Sequence, residues 1–450
     1  MIRAIVKPAF GLMMAYAMCS PLAAVAASGD STGIEAARAQ DVWGGFGINT
    51  HLDGCCNGNG GHDYNDTEGV ATALNYIGRV RLVRDFWSSD KLSKRAAIIA
   101  ERTGARFITA ISNTKADPGF ANDLAQMRAF QASCHCVFAY EGPNEPDMPY
   151  SVSLGGPFMK QGAAFMSQVK ASAVADNVKA IQMSFGTIYP DPGNYRCCGV
   201  IGNADYANAH TYAQGAPSML GQYKGMIDWA HRAALIPTPG KPVAHTEFGW
   251  TVPASPHYGS VNPPVQAEYT LEFIFDAWRH GDPLYIYYGL YDDMSGTWGL
   301  FDANNRPRPV ATALKSLSAL LTDSADDART FAPGRLNVSF ANLQPGQADL
   351  AGGQFLVMQK ADGTFLVEIQ NEAIRNNVKG NNADVPVPNV EITVTFGSAM
   401  TSVTEYDPIP TGERPVQTWK NVSTLKFGLP AHPVLLEIVH PSTKRLSDRG

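Results

Sequence analysis

No stretch beyond the first two dozen residues of this chain is long and apolar enough to cross a bilayer, which takes about 20 apolar residues. Three signatures of common chemistries are also missing: a Gly-x-Ser-x-Gly elbow, a His-Glu-x-x-His pair and a glycine-rich phosphate loop. Asp292-Asp293 offers carboxylates for calcium but lacks the rest of a loop motif, so neither a metal nor a cofactor is expected. No internal repeat is visible. Charge is scarce, with 17% charged residues and a formal net charge of −6. That mild acidity speaks against nucleic-acid or anionic-membrane partners and fits a neutral or basic ligand better.

What is present begins with an export signal. Arg3 and Lys7 precede the apolar run Ala9–Met18, and Ala24-Val25-Ala26 supplies a small-residue cleavage site. Ser20-Pro21 interrupts the run too early for a membrane anchor. Residues 1–27 therefore read as a signal peptide, and the mature chain as secreted or periplasmic. Cys19 leaves with that segment, and Cys55, Cys56, Cys134, Cys136, Cys197 and Cys198 remain. An even number in an exported chain points to disulfides, with local and long-range pairings both open. Cys134-His135-Cys136 precedes a strand, at the end away from the chemistry, so bridging is favoured over metal binding there.

Apolar runs and turn residues then alternate regularly. Strands are expected at Val42–Leu52, Arg79–Val83, Arg106–Ser112, Val137–Ala139, Lys179–Phe185, Asp205–Thr211, Pro242–Thr246 and Pro283–Tyr291. Helical spacing falls between them and closes the series at Val310–Leu321. Eight such alternations are the signature of an α/β parallel sheet, here closed as a (β/α)8 barrel over residues 28–322. After Asp323 the pattern changes to short strands. Phe355–Lys360 and Thr364–Gln370 flank the hairpin signal Asp362-Gly363, and Val390–Phe396, Thr401–Tyr406, Thr424–Leu429 and Val434–His440 follow. Residues 323–441 read as an all-β sandwich, and 442–450 as a polar tail.

Two strand ends carry the functional signal. Val137-Phe138-Ala139 leads into Tyr140-Glu141-Gly142-Pro143-Asn144-Glu145-Pro146, and Gly142-Pro143 is expected to break the strand. Val243-Ala244-His245-Thr246 leads into Glu247-Phe248-Gly249-Trp250. In a barrel of this kind, residues at the C-terminal ends of strands are placed for catalysis. Two carboxylates on different rims are what glycoside hydrolysis requires. The Asn-Glu-Pro and Thr-Glu-Phe-Gly stretches, in this order, resemble the acid/base and nucleophile strands of the clan A retaining glycoside hydrolases. The overall layout is most similar to the family 39-like members.

The resemblance implies a carbohydrate substrate, Glu145 as acid/base, Glu247 as nucleophile and Asn144 as a partner of the sugar 2-hydroxyl. It also implies Arg84 and Tyr212 as the cation and hydroxyl donor that keep Glu247 ionised. Arg84 could instead bridge Asp85 or Glu141, and Tyr212 could be a core aromatic. Glu141 competes for the acid role but is expected inside the barrel, paired with an arginine. His51 and His210 are candidate sugar-binding groups or satisfied structural histidines. Trp298 is the candidate aromatic floor, although this sequence has Tyr288 and Tyr291 where a tryptophan directly on the eighth strand is commoner. Asn-Glu could also merely cap a helix. An exo-acting glycosidase and a non-catalytic carbohydrate-binding protein are the rival readings, and the oligomeric state is open.

Overall fold

A computed structural model describes residues 33–54, 61–87, 89–112, 119–148, 157–186, 193–213, 215–217, 226–252, 260–323, 331–343, 354–375 and 385–441. All of them belong to one compact unit. The signal segment, Cys55, Cys56 and the 442–450 tail lie outside the described residues.

Two short strands, β1 (Ile34–Glu35) and β2 (Ala37–Arg38), precede the barrel. Its strands are β3 (Phe46–Asn49), β4 (Leu82–Phe86), β5 (Arg106–Ile111), β6 (Val137–Pro143), β7 (Lys179–Ile181), β8 (Ala207–Thr211), β9 (Val243–Phe248) and β10 (Leu284–Tyr287). They pair in the order β7-β6-β5-β4-β3-β10-β9-β8, every pair parallel. A bridge between Ile181 and Tyr206, with Gln182 N–H donating to Tyr206 O at 3.0 Å, closes the seam between β7 and β8. The helices between strands carry their own stops and starts. Helix Asp90–Thr103 opens on Ser89, whose hydroxyl accepts from Leu92 N–H, and ends at Gly104 with φ 70°.

The barrel interior is layered. Leu82, Ile108, Ala139, Ile181, Ala244, Leu284 and Ile286 pack together as an apolar cluster. Strand side chains alternate, so two residues further along β4, β6 and β9 the same interior face presents Arg84, Glu141 and Thr246. An apolar floor thus supports a polar layer at the C-terminal end of the strands.

Several element bounds differ from the sequence reading. Val42 and Trp43 are buried on helix Ala39–Gly44 rather than on a strand, with the Trp43 indole donating to Arg79 O at 3.0 Å. β4 runs through Phe86, which puts Arg84 inside the strand. β6 extends beyond the expected Val137–Ala139 and ends at Pro143, within the Gly142-Pro143 pair expected to stop it, so Asn144 and Glu145 stand just past the strand. A Cβ at Gly142 would lie 2.3 Å from Met166 Sδ, so glycine there allows close packing. The ladder bond to Ile111 O comes from Asn144 N–H at 3.1 Å, so Pro143's missing N–H costs nothing.

After residue 331 come β11 (Arg335–Leu336), β12 (Val338–Ala341), β13 (Phe355–Gln359), β14 (Phe365–Ile369), β15 (Val390–Tyr406), β16 (Pro415–Leu429) and β17 (Val434–Val439). They build a sheet in the order β12-β15-β17-β14-β13-β2, with β16 on β15, around a second apolar core. β1 pairs with β11, so residues 34–38 join the C-terminal sheets. The β13–β14 hairpin turns at Asp362-Gly363, with Gly363 at φ 88°. The two strands expected at Val390–Phe396 and Thr401–Tyr406 are one strand of 17 residues, whose register shifts between Thr395 and Met400.

Barrel and sheets meet across an unusually acidic seam. Glu268, Glu272 and Asp276 lie four apart on helix Pro263–Arg279. Arg279 pairs with Glu368 at 2.7 Å, Gln370 donates to Asp276 at 2.9 Å, and Arg375 and His432 approach Glu268 at 3.4 and 3.5 Å. Glu272 is fully buried, and neither of its carboxylate oxygens has a hydrogen-bond partner among the described residues. Burial, and then the charges of Glu372, Asp276, Glu268 and Glu368, push its carboxyl well above the usual range. Burial pushes Glu368 up to about 7. A carboxyl with a raised folded-state pKa contributes stability below its unfolded value, about 4.3, and loses it as pH rises through the folded value. The thermal midpoint is therefore expected to fall between pH 5 and pH 8, and Glu272→Gln to flatten that slope. A midpoint equal or higher at pH 8, followed by scanning calorimetry, contradicts this.

Candidate active site

Arg84 is the centre of the polar layer. It is fully buried, and its side chain makes five hydrogen bonds. Nε and Nη2 donate to the two oxygens of Glu141 at 2.7 and 2.8 Å. Nη1 donates to Asn49 Oδ1 and Glu247 Oε1, both at 2.8 Å, and Nη2 to Asn144 Oδ1 at 2.7 Å. That uses the guanidinium's donor capacity in full. Burial opposes the charge, but Glu141 and Glu247 outweigh it and raise the Arg84 pKa, so the cation is permanent. Glu141 is fully buried.

Glu247, at the end of β9, is held on both oxygens. Oε1 takes Arg84 and Oε2 accepts from the Tyr212 hydroxyl at 2.7 Å. Burial and the Glu247 charge push the Tyr212 phenol well above its ordinary value, so it serves as a donor. Removing that donor with Tyr212→Phe is expected to lower kcat about 10²-fold, the usual scale for a lost charge-stabilising hydrogen bond. Unchanged steady-state kinetics would remove Tyr212 from the site.

Glu145 has φ 43°, a left-handed conformation uncommon outside glycine. Its N–H donates to Ser184 Oγ at 3.2 Å. The loop is pinned by Asp147, which accepts from Gly186 N–H and from the Asn194 amide, both at 2.9 Å. This turn brings Glu145 Oε1 to 2.7 Å from His210 Nδ1. His210 Nε2 lies 3.2 Å from Thr246 Oγ1, whose own hydrogen has Asn208 Oδ1 as its nearest acceptor at 2.7 Å. The Thr246 oxygen is then left to accept from Nε2–H, which turns Nδ1 toward the carboxylates. Burial disfavours the charged ring, but the Glu247 charge and the hydrogen bond and charge of Glu145 outweigh it, so the His210 pKa is raised.

Gly186 was not legible as a site residue. A Cβ there would sit 2.8 Å from Glu145 Cδ and 2.4 Å from Met148 Cγ. Gly186→Ala must displace the Glu145 carboxylate, and misplacement of a reacting group by about 1 Å costs roughly 10²-fold. The expected result is a fall of that size in kcat with an intact thermal midpoint.

The aromatic wall differs in part from expectation. Trp298 is 3% exposed, with its ring 5.2 Å from Tyr212 and 5.7 Å from Tyr288. It backs those two half-buried tyrosines. The Tyr288 hydroxyl donates to Asp293 at 2.6 Å and lies 3.3 Å from His51 Nε2, which itself is 3.3 Å from Asp293. Tyr291 is not brought to this wall. It is buried against Tyr64, with its hydroxyl on Asn305 at 3.0 Å. Asn49, Ser184, Thr246, Asn208 and Asp293 were missed as site residues because they act on other side chains, a relation only the closed barrel reveals.

The described cysteines pair locally, Cys134 with Cys136 and Cys197 with Cys198. The first bridge lies at the N-terminal end of β6, away from the cleft. Among the described residues, Glu145, His210 and Glu247 form a group of metal-ligating side chains with convergent atoms, all within 4.8 Å of one another.

No family model matches the sequence. No curated protein matches it either. Solved structures do. A family 51 α-L-arabinofuranosidase, AbfB from Bifidobacterium longum, matches with a TM-score of 0.55 at 12% identity, over 92% of this chain and 98% of that one. The likeness shows the shared fold, a (β/α)8 barrel with a β domain. A family 17 β-1,3-glucanosyltransferase from Rhizomucor miehei matches over 60% of this chain and 97% of its own, with a TM-score of 0.43 and 14% identity. A calcium-binding mutant of Bacteroides uniformis β-glucuronidase 2 matches 86% of this chain, with a TM-score of 0.42 and 14% identity, and the match spans 42% of that protein's length.

Proposed function

We propose that this chain is a retaining glycoside hydrolase that cleaves a poly- or oligosaccharide by double displacement. The observation that carries the reading is the facing pair of carboxylates. An oxygen of Glu145 and one of Glu247 lie within 4.8 Å of each other, on different strand ends. Retaining enzymes place their carboxyl groups about 5–5.5 Å apart, whereas inverting ones need about 6.5–9.5 Å to admit a water. The two carboxyl groups have different partners. Glu247 is held by a permanent cation and a phenol, and Glu145 by a titratable imidazole.

In the first step a Glu247 oxygen attacks the anomeric carbon. The bond to the leaving oxygen breaks, and the proton of Glu145 passes to that oxygen. The product is a glycosyl ester on Glu247. In the second step Glu145 takes a proton from water, whose oxygen attacks the anomeric carbon and expels Glu247. Asn144 commits Oδ1 to Arg84 and to Ser184 Oγ, leaving its amide nitrogen for the sugar 2-hydroxyl. Neither metal nor cofactor takes part in this route.

Within the clan A enzymes we place it beside the family 39-like members on the layout of its sequence, and export as a secreted or periplasmic protein accompanies that reading. A bacterial exopolysaccharide or a plant cell-wall glycan is the substrate class we favour, with exo-action on short oligosaccharides as the alternative. A purely carbohydrate-binding role is disfavoured because binding needs neither carboxylate. The test is reducing-end release from a panel of polysaccharides and aryl glycosides by the intact protein, with Glu145→Gln and Glu247→Gln alongside. Loss of polysaccharide cleavage in both variants, with activated aryl glycosides lost only in Glu247→Gln, supports the assignment, and product sizes separate endo from exo action. Calorimetric binding of a glycan that is never cleaved overturns it in favour of a lectin-like role.

A further inference from the structure

We propose that Glu145, His210 and Glu247 form a binding site for a divalent transition cation of the zinc class, which blocks the cleft reversibly. The metal affinity stands on these side chains alone; its inhibitory consequence rests on the glycosidase reading.

The donor set is one imidazole nitrogen and two carboxylate oxygens, the mixture that borderline-soft divalent ions favour over magnesium or calcium. His210 Nδ1 lies 2.7 Å from Glu145 Oε1 and 3.4 Å from Glu247 Oε2. Ligand atoms about 2.0–2.2 Å from a shared tetrahedral ion sit roughly 3.5 Å apart. The two His210 contacts therefore need sub-ångström adjustments, and the carboxylate oxygens, within 4.8 Å of each other, need to close by about 1.3 Å at most, within reach of side-chain rotation. The imidazole is already oriented for the task. Thr246 Oγ1 takes Nε2–H, and Thr246 is in turn held by Asn208, so Nδ1 is the nitrogen aimed at the carboxylates. A second hydrogen bond of this kind fixes the tautomer and ring plane of metal-binding histidines.

Charge and access agree with this. Among the described residues, Arg84 is shared between Glu141 and Glu247, so its one charge faces three carboxyl groups counting Glu145, and a divalent ion adds positive charge where the carboxylates converge. Arg84 engages Glu247 through Oε1, whereas Oε2 is the oxygen near His210. The Glu145 side chain is 13% exposed, so the donor atoms are reached from the cleft. The same ion that joins Glu145 to Glu247 occupies the gap where the anomeric carbon must sit. Binding of metal and of sugar is then mutually exclusive.

The test is isothermal titration of the full chain with zinc chloride, compared with Glu145→Gln, Glu247→Gln and His210→Gln. His62→Ala is the control, because His62 and Asp66 form a separate histidine–carboxylate pair at 2.9 Å. The expected result is one site of micromolar affinity that weakens at least 10-fold in each of the three variants and is unchanged in the control. Circular dichroism on each variant separates lost ligands from lost fold. With a cleaved substrate in hand, zinc is expected to raise KM and leave kcat unchanged, and a chelator to restore the starting rate. Binding that is absent, or that the three variants leave intact, overturns the site. Hydrolysis that a chelator abolishes and zinc restores overturns the blocking role.

Discussion

Glu247→Gln is expected to lower kcat by at least about 10⁴-fold, because the amide cannot form the glycosyl ester and no neighbouring group replaces it. The loss should be the same for poor and good leaving groups, since attack itself is lost. Glu145→Gln should behave differently. General acid catalysis contributes roughly 10²–10⁴-fold, and a leaving group that departs without a proton does not need it. The first step on an activated aryl glycoside should therefore survive, with the second step becoming rate-limiting and KM falling. Azide offers a further discrimination. In Glu145→Ala it attacks the glycosyl ester and yields a glycosyl azide of retained configuration; in Glu247→Ala it replaces the nucleophile and yields the inverted one. Equal leaving-group dependence in the two variants would contradict the division of roles.

Arg84→Met is the second large effect, and it acts on the fold as well as on the chemistry. Glu141 is fully buried and both of its oxygens are bonded to Arg84. Removing one partner of a buried pair leaves an uncompensated charge and costs about 3–5 kcal/mol. Glu247 and Asn144 lose a donor in the same substitution. Arg84→Lys should recover only part of this, because an ammonium cannot reproduce a planar fork that serves four side chains. Adding Glu141→Gln to Arg84→Met should restore much of the stability and none of the activity. Urea unfolding midpoints for the three variants, beside their kcat values, measure the two effects separately. A double variant no more stable than Arg84→Met alone would show that the buried charge was not the cause.

Sequence reading reached the architecture because the period of apolar residues carries it. Helix spacing alternating with short β runs requires a parallel sheet, and eight repeats close it. Boundaries were less legible. Gly142-Pro143 does end β6, but the strand takes in Tyr140–Pro143 beyond the apolar run, with Gly142 packed closely against Met166 and the last ladder bond given by Asn144. Val42-Trp43 is apolar enough for a strand, but lies on a short helix. β15 reads as two strands because its register shift interrupts the alternation.

The candidate site was legible where a charged or polar side chain stands on or just past a barrel strand: Glu145, Glu247, Arg84, Tyr212 and His210 converge. It was illegible where a residue works by being small, as Gly186 does, or by orienting a neighbour, as Thr246 does. Tyr291 shows the converse. It stands close after the last barrel strand, but its ring turns into a buried pair with Tyr64.

Double displacement by the Glu247 and Glu145 pair leaves its mark on the stereochemistry of hydrolysis. Proton NMR of the first-formed product, recorded before mutarotation on whichever glycan the panel identifies, reads the anomeric configuration. Retention of the substrate's configuration is the expected result. Inversion would mean that water attacks directly, which two carboxylates with oxygens within 4.8 Å of each other leave no room for, and it would contradict the account.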